Sequence, residues 1–113
     1  MNLDELANYL SAGFSDPVVQ QLAAVLLDWK ADTSTAQDLR ESVERYIGNT
    51  SIRREEDHKK VYDTWSSFRD NAIDGIGGLT MNERLYWFGL FDRFDSSANE
   101  EKLIIYRKLH ARP

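Results

Sequence analysis

Two imidazoles and no thiol are what this chain offers for chemistry: His58, His110 and not one cysteine in 113 residues. A nucleophilic triad needs a Ser or Cys, a His and a carboxylate within reach of one another. Neither histidine stands beside a G-x-S-x-G turn. Glu55-x-x-His58 has the helical spacing that di-iron bundles use to hold metal. Such a centre takes two of these motifs and two further glutamates, and this chain has one copy, inside the charged run "RREEDHKK". Asp92, Asp95, Ser97 and Asn99 suggest a calcium loop, which requires Gly at its sixth position and Glu at its twelfth. Counted from Asp95, those positions are Glu100 and Tyr106. The run Gly75–Gly78 lacks the third glycine of a dinucleotide fingerprint and follows no strand. Without cysteine there are no disulfides and no thiolate zinc sites. The expectation is a non-enzymatic protein with no catalytic residue, no metal and no cofactor.

Charge is the stronger signal. The net formal charge is −5, and residues 1–48 carry eight acids against three bases, which already amounts to −5. Residues 49–78 and 79–113 nearly balance, at −1 and +1. An acidic surface repels phosphates and attracts basic proteins. A helix-turn-helix can be drawn over residues 22–47, but its second helix, "AQDLRESVERYI", holds three acids and two bases. A recognition helix that approaches phosphates should be basic. Nucleic acid is therefore not the expected partner.

The elements that must position these charges read as helices throughout. Composition, 42% hydrophobic and 29% charged over 113 residues, suits one domain with one core. Leu3, Leu6, Ala7 and Leu10 mark a first helix over 3–12. Asp16 caps a second, Pro17 suits its first turn, and Val18, Leu22, Val25, Leu26 and Trp29 form its stripe up to Ala31. Ser34 or Thr35 caps a third that runs to Ile47, with Leu39, Val43, Tyr46 and Ile47 inward. A fourth spans 51–73, carrying Ile52, Val61, Trp65, Phe68 and Ala72. Three glycines in "DGIGGL" then stop it. Thr80 and Glu83 form a capping box for a fifth helix to Phe94, and Ser97 and Glu100 repeat the pattern for a sixth to His110. Leu103, Tyr106 and Leu109 are its expected inner stripe. The fold expected is all-α: a single-domain bundle of about six helices over residues 1–113.

The fifth helix is the most aromatic. At 100° per residue, Leu85, Tyr86, Trp87, Phe88, Leu90 and Phe91 surround its axis. A helix apolar on all sides is usually buried, so residues 80–94 are expected to form the central helix. Gly89 inside it costs ~1 kcal/mol against Ala, an expense that close approach of a neighbour would offset. The same segment, "LTMNERLYWFGLFDRFD", resembles the pattern L-T-x-N-E-R-L-x-x-x-G-L-x-D-x-F-D of small bacterial immunity-like proteins of polymorphic toxin systems. Leu79, Thr80, Asn82, Glu83, Arg84, Leu85, Gly89, Leu90, Asp92, Phe94 and Asp95 carry the match, while Trp87 and Phe91 are bulkier than the aliphatic residues of that pattern.

The resemblance implies an inhibitor that binds a toxin domain. Combined with the acidic first 48 residues, it points to masking of a basic, nuclease-like partner. Asp28, Asp32, Asp38, Glu41 and Glu44 are the expected contacts. The alternative is a regulatory or scaffold subunit that binds through exposed aromatics. No apolar run approaches the ~18 residues of a membrane span. The start, "MNLDELANYLSAGF", has no basic n-region and reads as part of the fold rather than a signal peptide. A cytoplasmic protein is expected.

Overall fold

Side-chain caps fix where most of the helices begin. The computed structural model describes all 113 residues, in seven α-helices with no strand. Helix α1 (Leu3–Gly13) starts on a capping box in which Asn2 and Glu5 exchange backbone N–H bonds of 2.9 Å. Helix α2 (Pro17–Ala31) is capped by Asp16, whose Oδ1 accepts from the Val18 N–H. Thr35 and Asp38 form the box that opens α3 (Ala36–Asn49). Thr80 and Glu83 do the same for α5 (Met81–Phe88). Each such cap contributes about 1 kcal/mol.

The core is one cluster. Leu3, Leu6 and Leu10 of α1 meet Val19, Leu22 and Leu26 of α2, and these two helices share the most extensive packing in the molecule. Helix α1 also touches α4 (Glu55–Phe68) and α5. Val61, Trp65 and Phe68 of α4 are buried, and Phe88 packs between Trp29 and Phe68 at ring-centroid distances of 5.3 and 5.6 Å. Each fully buried aliphatic or Phe side chain is worth roughly 1.5–3 kcal/mol. The inner face of α2 is turned slightly from the expected one: Val19 is buried, while Val18 and Val25 are half-buried.

The fourth helix starts at Glu55, later than the expected Ser51. Residues 51–54 instead lie against the start of α2, where Asp16 Oδ2 accepts from the Arg53 N–H at 2.9 Å. Downstream, α4 runs without a break into a π-helical turn, Arg69–Asp74. The wider turn places Arg69 and Asp74 beside α3: Arg69 bonds Glu44 at 2.7 Å, and Arg40 bonds Asp74 at 3.0 Å.

The expected single helix over 80–94 is two. Helix α5 ends at Phe88, Gly89 takes the left-handed conformation (φ 65°, ψ 38°), and α6 (Phe91–Asp95) follows. Gly89 N–H donates to Tyr86 O at 3.2 Å and Leu90 N–H to Leu85 O at 2.9 Å, the paired bonds of a Schellman stop. Glycine is there because a left-handed residue is needed, and a Cβ would also collide with the Asp4 carboxylate of α1. The break ends the regular rotation assumed for the aromatic run. Leu85, Phe88 and Leu90 enter the core, whereas Tyr86 and Phe91 are exposed.

The last helix, α7 (Asn99–Lys108), is also rotated from expectation. Leu103 is exposed, and the inward residues are Ile105, Lys108 and Leu109. Ser97 does not cap it. Its hydroxyl donates back to Arg93 O, and Ala98 occupies the cap position. No helix is long and apolar enough to cross a membrane.

Candidate protein-interaction face

The C-terminus of α2 is where residues from four elements converge. The last carbonyls of a helix carry partial negative charge and lack intrahelical donors. Two cations supply what is missing. Arg93 donates to Lys30 O at 2.7 Å and Asp32 O at 3.0 Å. Lys108, whose side chain is completely buried, donates to Asp32 O at 3.1 Å, Ser34 O at 2.9 Å and Asp32 Oδ1 at 2.7 Å. Its Nζ lies 3.8 Å from the centroid of the Trp29 ring. The three acceptors match the three N–H bonds of a charged ammonium, and the Trp29 face adds a cation–π contact. Burial pushes the Lys108 pKa down, and Asp32 restores only part of the loss. Burial pushes the Asp32 carboxyl up, but bonds from Lys108 and Ser34 outweigh it and the net direction is downward.

From this corner the chain turns into α3. Trp29 Nε1 donates to Thr35 O at 2.9 Å, and Asp32 Oδ1 accepts from the Ser34 N–H and hydroxyl. Between α2 and α3 lies a groove of about 200 Å³. Val25, Trp29 and Leu39 form its apolar lining, and Asp28, Asp32 and Ser42 are its polar edge.

The five acids singled out from sequence separate into different roles. Asp28 is exposed and forms no hydrogen bond or ion pair in the fold. Asp32 is the counterion of Lys108. Asp38 Oδ2 accepts from the Thr35 N–H at 3.0 Å, part of the α3 capping box, and remains exposed. Glu41 is exposed and touches only the Gln37 amide, at 3.5 Å. Glu44 is half-buried against Arg69, and its bond is the main reason the guanidinium is held well above its ordinary pKa. At 100° per residue, Glu44 stands roughly 160° around α3 from Ser42 and roughly 140° from Leu39 at the groove. Asp28 and Asp32 are thus brought together, Asp38 and Glu41 flank them on the outer face of α3, and Glu44 faces the π turn. Arg45, exposed one turn beyond Glu41, bounds the acidic face.

Lys108 and Arg93, which organise this corner, were not visible as site residues in the sequence. The available signal was spacing: Lys108 follows Ile105 by three and precedes Leu109, inside an apolar stripe.

The other candidates have simpler settings. His58 stacks on Tyr62, with ring centroids 6.4 Å apart and planes at 3°. His110 is exposed, but its Nε2 accepts from the Gln37 N–H at the start of α3, at 3.1 Å. Arg84 holds the same tail through Leu109 O and His110 O. Asp92 and Asp95 belong to α6, and Ser96 closes that helix by donating to Asp92 O at 2.8 Å. Met1, Phe68 and Trp87 line a second groove of about 330 Å³ between α4 and α5, edged by Asp63, Ser67 and Asn71. Comparison with protein-family models, curated proteins and solved structures finds no match to this chain.

Proposed function

We propose that this chain is a non-catalytic binding module, an immunity-type inhibitor that covers the basic substrate groove of a nuclease-like toxin domain. The observation that carries the reading is the outer face of α2 and α3, where Asp28, Asp38 and Glu41 are exposed without a basic partner. Carboxylates on a rigid helical face can occupy positions meant for phosphates, speed encounter and exclude substrate. The capping box and the Lys108 corner hold those carboxylates on fixed backbone, so little ordering entropy is lost on binding. The contact set narrows accordingly. Asp28, Asp38 and Glu41 face the partner; Asp32 holds the corner through Oδ1 and leaves Oδ2 free at the groove, and Glu44 serves indirectly by holding the π turn. A cytoplasmic location accompanies this role.

The test is co-purification of the partner that this chain binds, which the reading requires to be a basic nuclease-like domain, followed by stopped-flow association at rising ionic strength. The reading requires an on-rate that drops steeply with salt and that Asp28→Lys with Glu41→Lys lowers at least about tenfold. An on-rate indifferent to both would remove it.

The second reading is a regulatory or scaffold subunit that binds through aromatics. It is favoured by Tyr86 and Phe91, 52% and 40% exposed, with the Tyr86 ring 6.1 Å from that of Trp87 at the second groove. Apolar contact of that kind has weak salt dependence, which separates the two readings in one titration.

A further inference from the structure

We propose that the groove between α2 and α3 is a socket for one arginine side chain of the protein partner. The inference rests on the binding-module reading and names the chemistry that this part of the face recognises. Three properties select the occupant. Half-buried Val25 is the accessible apolar wall, backed by the buried Trp29 and Leu39, and it suits contact with an aliphatic stem. The edge carries Asp28, in the last turn of α2, and Asp32, the C-cap four residues further on. No basic residue lines the groove.

The second carboxylate is half committed, and the commitment leaves the right atom open. Lys108 and both Ser34 donors all bond Asp32 through Oδ1, so Oδ2 has no partner within the fold. Asp28 has none on either oxygen. A guanidinium presents several N–H donors in a planar fork, which lets it reach both carboxylates together with the Ser42 hydroxyl. An ammonium would bring a compact charge of the kind Lys108 already places behind Asp32, with no fork to span two acceptors. Trp29 is fixed from below by Lys108 and by its bond to Thr35, so the socket is preformed.

The test is a nuclear magnetic resonance titration of the ¹⁵N-labelled protein with blocked N-acetyl-Gly-Arg-Gly-amide. N-acetyl-Gly-Gln-Gly-amide serves as the neutral control. The socket predicts saturable shifts at the Trp29 indole N–H, Asp28, Asp32 and Ser42. It predicts no such shifts with the glutamine peptide. Asp28→Asn, at a position the fold does not use, should weaken the arginine peptide about fivefold, the size of one exposed charge pair. Shifts spread evenly over all exposed acids, equal response to both peptides, or wild-type affinity in Asp28→Asn would each overturn the socket. Those results would leave salt-dependent binding of a basic partner by the wider face intact, so the two proposals fail separately.

Discussion

The α2–α3 corner and the aromatic run Leu79–Asp95 look opposite in sequence and exchange expected roles in the fold. The corner is charged, yet its centre is the buried packing of Lys108 on Trp29, with half-exposed Asp32 as the counterion at its edge. The run is apolar, yet Gly89 breaks it and leaves Tyr86 and Phe91 in solvent. Residue type therefore does not assign a role here; local backbone geometry and distant partners do. An acid is free for a ligand only after the fold has taken the acids it needs.

The sharpest way to break this contrast is to remove the corner's counterion. Asp32→Ala leaves the fully buried Lys108 ammonium with only carbonyl acceptors. A completely buried pair would lose ~3–5 kcal/mol. Because half of the Asp32 side chain is exposed, about 2–3 kcal/mol is expected by urea unfolding. Adding Lys108→Met should recover part of that loss, since the uncompensated charge is gone. If Asp32→Ala is as stable as wild type, the corner is no structural unit.

Next in size is the break in the aromatic run. Gly89→Ala puts a Cβ into left-handed backbone and against Asp4. A loss of about 1–2 kcal/mol is expected, read as a lower melting temperature. An unchanged melt would mean that the stop between α5 and α6 is not needed.

Acid sharpens the comparison further. Hydrogen bonding holds Asp32 and Asp16 below the ordinary carboxylate range; for Asp16 the donors are the Arg53 and Val18 N–H groups. The unfolded chain then binds protons first as pH falls, so stability is fully present above about pH 5 and is lost below about pH 4. Urea midpoints across that window should fall less steeply in Asp16→Asn than in wild type. Equal slopes would remove Asp16 from the account.

The smallest effect is expected where binding is proposed. Asp28→Asn and Glu41→Gln should alter stability by no more than about 0.5 kcal/mol, because neither side chain forms an ion pair. A larger loss would return these acids to the structural class.

The sequence was most legible where the cause of structure is local. Asp16–Pro17, Thr35 and Thr80 with Glu83 announce their helices because a cap needs only neighbours within three residues. It was least legible where a neighbouring group competes. Ser97 has a capping pattern, but the Arg93 carbonyl takes its hydroxyl. Gly89 fits an uninterrupted helical period as well as it fits a stop, and only the backbone distinguishes them. Lys108 reads as a surface residue until Trp29 and Asp32, more than seventy positions earlier, close around it. For the same reason five acids looked equivalent, although Arg69 and Lys108 had claimed two of them.

The most direct test sets the two regions against each other in one binding measurement. Association with the basic partner proposed above, isolated by co-purification, is followed with Asp28→Lys/Glu41→Lys and, separately, with Tyr86→Ser/Phe91→Ser. The account predicts that charge reversal slows association at least about tenfold and flattens its salt dependence, while the aromatic variant binds as wild type. Normal binding after charge reversal, with binding lost in the aromatic variant, would contradict it.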